Sequence, residues 1–123
     1  MCTEKILIDL SLFQRPDYKQ IFGDRLRKIR KIKKLTQKQV AEAIGMSTSG
    51  MTQIENGQKM PSTENLFAIS SALNVPVALL AHPLKMSDKH IRLIIKAMDL
   101  IILNPNSVYL ETIDQILAVA LKK

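Results

Sequence analysis

At 123 residues the chain suits one compact domain with appendages and is too short for two full domains. Apolar residues make up 46% and aromatics 4%, so Leu, Ile, Val, Met and Ala must build the core, a composition that favours helices. One cysteine (Cys2), a net charge of +7 and no long uncharged apolar run argue against a disulfide scaffold, a Cys-rich metal site, a secretory leader and a bilayer span, so the expected residence is cytoplasmic.

Residues 1–20 show no clear period and read as an N-terminal arm. Lys5 to Leu12 is rich in Ile and Leu, which fits a short strand or a segment packing on a partner, and Pro16 interrupts it. The first helix is predicted over about Ile21–Lys34, with Leu26, Ile29 and Ile32 on a narrow apolar face. Eight basic residues and no acid lie between Arg25 and Lys38: Arg25, Arg27, Lys28, Arg30, Lys31, Lys33, Lys34 and Lys38. The rest of the chain is therefore close to neutral. Alone, such a run is a solvated helix face or a membrane-surface helix; beside the segment that follows it suits phosphates.

That segment, LTQKQVAEAIGMSTSGMTQIENG at 35–57, reads as two short helices joined by a tight turn. Thr36 caps the first, about Gln37–Ile44, which buries Val40, Ala41 and Ile44. Gly45 supplies the positive φ that closes it. Ser47 caps the second, about Thr48–Glu55, whose Met51 and Ile54 face inward. Thr48, Ser49, Thr52 and Gln53 are left on an outer face that is polar and nearly uncharged. Such a face suits groups that hydrogen-bond base edges in a major groove.

Asn56-Gly57 ends that helix, Pro61 blocks helix, and Ser62 caps a fourth over about Thr63–Leu73. Asn74 fits a left-handed C-terminal position, and Pro76 starts a short fifth helix ending near Leu80. His82-Pro83 marks a break. Beyond it Ser87 caps a helix over about Asp88–Leu103, Asn104-Pro105-Asn106 turns, and Ser107 caps a last helix over about Val108–Leu121. So short a connection predicts an antiparallel hairpin. Its first helix is apolar almost all round, apart from a stripe of Lys89, Arg92, Lys96 and Asp99, and needs cover on more than one side. Packing on the rest of the chain is one solution. Self-association through Ile91, Ile94, Ile95, Met98, Ile101 and Ile102 is the expected one.

The pieces GDRLRKIR, LTQKQVAEAIGMS, MTQIENGQKMPS and ISSALNV, in this order and spacing, make the segment from about Phe22 to Leu80 resemble the helix-turn-helix family of phage repressor and Cro proteins, the xenobiotic-response-element type. The resemblance implies an all-α fold: a five-helix repressor-like domain over 21–82, with the hairpin of 83–123 as a dimerisation unit. It implies a sequence-specific transcriptional regulator, a repressor in the first instance, bound as a homodimer to a palindromic duplex operator. By position in the family motif, Thr48, Ser49 and Gln53 match base-reading residues, with Thr52 beside them. Gln37 matches a glutamine that bonds a phosphate from a helix N-terminus. Arg30 and Glu55 match an arginine–glutamate pair that steadies the recognition helix while leaving the guanidinium near the backbone. Arg27, Lys38, Ser47, Asn56, Gln58 and Lys59 complete the expected phosphate contacts.

Two departures stand out. Lys34 occupies a position where relatives often carry glycine, so it either adopts left-handed geometry or the turn differs. Gly50, inside the recognition helix, is either drift or a site of close backbone approach to DNA. An enzyme is not expected: His82 and His90 lie outside the motif, and neither a glycine-rich phosphate loop nor a nucleophile elbow is present, so no metal or cofactor is implied. Two readings of other kinds compete: an antitoxin-type regulator that also binds a toxin protein through the hairpin, and an interaction module that keeps the fold without reading DNA.

Overall fold

The computed structural model describes residues 14–103. The turn at 104–106, the predicted last helix and hence the hairpin lie outside the described residues, as does most of the N-terminal arm. Among the described residues the elements are helical: α1 (Tyr18–Ile32), α2 (Gln37–Ala43), α3 (Thr48–Glu55), α4 (Thr63–Leu73), α5 (Val77–Leu80) and α6 (Asp88–Leu103). The chain divides into two compact units, Met1–Lys85 and Met86–Lys123.

In the first unit α1 begins at Tyr18 rather than at Ile21. Pro16 stays outside the helix, and the Asp17 carboxylate is gripped by Arg15 at 3.0 and 2.8 Å. The extra turn is recruited by burial. Tyr18 is 8% exposed, its ring lies 6.4 Å from that of Phe22, and its hydroxyl donates to the Ala81 carbonyl at 2.7 Å.

Local caps set the other boundaries. Thr36 and Gln39 form a reciprocal capping box at α2, and Ser62 accepts from the Asn65 amide at α4. Asn74 closes α4 at φ 54°, in the left-handed form the sequence suggested. Lys34 closes α1 at φ 59°, so the glycine-like geometry is kept without the glycine, at a cost of about 1–2 kcal/mol.

Leu26 and Ile29 of α1, Val40 and Ala41 of α2, Met51 and Ile54 of α3, Ile69 and Leu73 of α4, and Leu80 of α5 form one closed core. Ile32 and Ile44 are only half-buried, because each sits at the end of its helix where the packed face runs out. The tightest helix approach is at Gly23. A Cβ there would lie 2.6 Å from the carbonyl oxygens of both Ile54 and Glu55, so the bare backbone of α1 is what lets the C-terminal end of α3 come close.

In the second unit, α6 has one covered face and one open face. Ile91 and Ile95, expected at an interface with another subunit, are buried. Ile94 and Met98 are half-buried, while Leu93 and Leu100, one further side of the helix, are 54% and 36% exposed. The side chains of Ile101 and Ile102 lie outside the described residues.

Two substitutions test this packing in opposite directions. Gly23→Ala gains up to about 1 kcal/mol in helix propensity, yet the clash with α3 is expected to make it a net loss of about 1–3 kcal/mol. Lys34→Gly relieves the left-handed lysine and is expected to raise stability by about 1 kcal/mol. Denaturant midpoints measured side by side check both signs.

Candidate nucleic-acid interface

The presented surface is built by α2, the turn and α3. Gly45, at φ 70°, closes α2, and the Met46 amide bonds back to the Ala41 carbonyl at 2.8 Å. Ser47 then accepts from the Gly50 amide at 2.9 Å, satisfying one of the free donors that open α3. With Met51 and Ile54 wholly buried, helical spacing turns Thr48, Ser49 and Gln53 outward, where all three are exposed, and leaves Thr52 half-buried at the edge. Gly50 does not lie on this surface. It is buried, and a Cβ there would meet Ser47 Oγ at 3.1 Å and Met46 Cγ at 3.3 Å, so its smallness serves the turn and not an approach to DNA.

The C-terminal end of α3 carries a fully buried carboxylate, Glu55. Arg30 grips it as a fork: Nε donates to Oε2 at 2.6 Å and Nη2 to Oε1 at 3.0 Å. Gln37 Nε2 donates to the same Oε1 at 3.0 Å, and Arg27 Nε stands 3.5 Å away. Burial alone would raise the Glu55 pKa. The hydrogen bonds from Arg30 and Gln37, with the charges of Arg30 and Arg27, outweigh that and hold it below its ordinary value. Among the described residues no buried side-chain nitrogen or oxygen lacks a hydrogen-bond partner.

This network engages several residues expected at phosphates. Arg30 is 8% exposed and its Nη1 also donates to the Leu35 carbonyl at 2.8 Å, which makes it an internal anchor. Gln37 is half-buried, its amide engaged by Glu55 and, at 2.9 Å, by the Thr52 hydroxyl. Arg27 caps α3, donating to the Glu55 carbonyl at 3.2 Å and to Asn56 Oδ1 at 3.0 Å, where its charge also meets the negative end of the helix. Lys38, Ser47, Asn56, Gln58 and Lys59 are exposed around the rim of α2 and α3.

Arg25, from the same basic run, is buried as well. It donates to the Leu79 carbonyl at 2.7 Å and to the Leu84 carbonyl, pinning the end of the unit onto α1. The sequence carried a signal for two of these internal arginines. Arg25 stands four residues before Ile29, and Arg30 four after Leu26, so each shares the core-facing side of α1. Charge alone hid them.

Comparison with known proteins is consistent with this geometry. A helix-turn-helix family model matches residues 26–80. The chain is 38% identical over 66 residues to the uncharacterized HTH-type transcriptional regulator YazB of Bacillus subtilis (strain 168), covering 54% of this chain and 96% of that protein. It is 41% identical over 56 residues to the immunity repressor protein of Bacillus phage phi105, covering 46% of this chain but only 39% of the phage protein. The crystal structure of the clp gene regulator ClgR from C. glutamicum superimposes with a TM-score of 0.52 at 30% identity, over 56% of this chain and 90% of that one.

The buried pair makes the site sensitive to acid. A carboxylate whose folded pKa is depressed adds stability that is complete above its ordinary value, 4.5, and is lost as pH falls through the lowered folded value. Unfolding midpoints should therefore fall along an acid limb that is shallower in Glu55→Gln. At neutral pH, Arg30→Met strips the buried carboxylate of its fork, leaving Gln37 and the more distant Arg27 to hold it, and is expected to cost about 3–5 kcal/mol in denaturant titration.

Proposed function

Because the chain belongs to the Cro/C1-type helix-turn-helix family of DNA-binding transcriptional regulators, we propose that it reads a specific duplex sequence by laying α3 in the major groove. The observation that carries this reading is the outer face of α3. Thr48, Ser49 and Gln53 are exposed, uncharged and adjacent, on a helix whose other side is locked into the core. Gln53 has the amide needed to bridge adenine N6 and N7, and Thr48 offers a methyl group to thymine. Thr52, at the edge, completes the base-reading set.

Phosphate contacts fall to the exposed rim: Lys38 and Lys59, with Ser47, Asn56 and Gln58 between them. Lys31 and Lys34 add positive field from the end of α1. Lysines on a solvated rim suit this task, since a compact ammonium follows a phosphate rail without fixed geometry.

Two-fold pairing would place two copies of α3 on successive major grooves of a palindromic operator. The open apolar side of α6, Leu93 and Leu100 with Ile94 and Met98 at its margin, supports a second copy of this chain as the occupant. By analogy with the phage immunity repressor, the outcome of binding is repression.

Gln53→Ala is expected to relax base preference at one position per half-site by about 1–3 kcal/mol. Lys59→Ala should weaken all sequences alike and lower the salt slope of log K by about one. A selection from random duplex pools, repeated at two salt concentrations, measures both. Leu93→Glu with Ile94→Glu should convert a dimer to a monomer in light scattering; an unchanged dimer places the interface elsewhere.

A further inference from the structure

The side chains behind α3 form a chain of hydrogen bonds with a fixed direction, and that direction ends at the recognition surface. Glu55, ionised between Arg30 and Arg27, only accepts. The Gln37 atom 3.0 Å from its Oε1 must therefore be the amide nitrogen. The amide is planar, so its oxygen is turned the other way, and it lies 2.9 Å from Thr52 Oγ1. An amide oxygen only accepts, so the hydrogen in that contact belongs to Thr52. The second neighbour of Thr52 Oγ1, the Thr48 carbonyl at 3.0 Å, is also an acceptor. Both inner partners draw on the same proton.

Thr52 therefore keeps lone pairs, and no hydrogen, for anything outside the protein. We infer that Thr52 is a specificity-determining residue that accepts a hydrogen bond from an exocyclic amino group, adenine N6 or cytosine N4, and discriminates against guanine O6 and thymine O4 at the base it faces. Those two oxygens are acceptors, and would meet the hydroxyl lone pair to lone pair. Gln37 is a positioning residue in this scheme: together with the Thr48 carbonyl it fixes the polarity of the Thr52 hydroxyl. The inference rests on α3 entering the major groove, and it narrows that reading to a hydrogen-bond sense at one position.

The test uses the full chain and a selected duplex site, comparing the wild type with Thr52→Val, Thr52→Ser and Gln37→Met, each checked for folding by thermal unfolding. In the wild type, replacing one adenine by purine, or one cytosine by pyrimidin-2-one, removes the amino group and should weaken binding roughly five- to tenfold at a single position per half-site. Thr52→Val should be indifferent to that replacement, and Thr52→Ser should keep the response. Gln37→Met leaves the Thr48 carbonyl as the one inner acceptor that holds the hydroxyl proton, so discrimination between amino and carbonyl bases at that position should shrink in part while the salt slope stays unchanged. The inference is overturned if Thr52→Val leaves every base preference intact, or if the position it relaxes is a guanine or thymine read through its oxygen. A wild type that selects no sequence at all overturns the groove-reading proposal instead, and this inference with it.

Discussion

A carboxylate buried at the C-terminal end of a helix faces two penalties: it has left water, and it adds negative charge where the helix dipole is already negative. Glu55 is such a group, and the first unit is arranged to hold it. Arg30 contributes the fork from α1, Gln37 the amide from the first residue of α2, and Arg27 a second guanidinium that also caps the Glu55 carbonyl at the end of α3. Three helices are thereby tied to one side chain. Gly23 makes the arrangement possible, since any Cβ on that turn of α1 would push the end of α3 outward. The outward-facing residues of α3 inherit their orientation from these contacts at its back and end.

The basic run of α1 divides its labour by residue type. Arg25 and Arg30 are buried and Arg27 is partly so, each donating to carbonyl or carboxylate oxygens in fixed directions. Lys31, Lys34 and Lys38 remain at the surface. The planar guanidinium matches directional acceptors inside a protein, whereas the ammonium is more strongly hydrated and stays outside. A stretch that reads as one continuous patch for phosphates thus serves two purposes, and the cationic surface offered to DNA is smaller than the charge count implies.

The two units pose different physical problems. In the first, every buried side-chain nitrogen and oxygen among the described residues is answered, and the exposed side chains are mostly polar. On α6, leucines stand in water along one side while Ile91 and Ile95 of the same helix are covered. Leaving large aliphatic groups exposed forfeits roughly 1.5–3 kcal/mol for each that could be fully buried.

Much of the local structure was legible in the residues themselves. Thr36, Ser47 and Ser62 cap the helices they precede, Gly45 and Asn74 take positive φ, and α3, α4 and α6 run over the spans that periodicity indicates. These features depend on neighbours a few positions away, so sequence alone determines them, and with them the helix-turn-helix and its outer face. The tertiary structure decided what long-range partners decide. It gave Arg25, Arg27 and Arg30 internal acceptors, turned Gly50 toward Met46, drew Tyr18 into α1 through Ala81, and set Gln37 between Glu55 and Thr52. A charged or polar side chain bonds whichever acceptor the fold brings within reach, and that acceptor lies many residues away, where no local pattern records it.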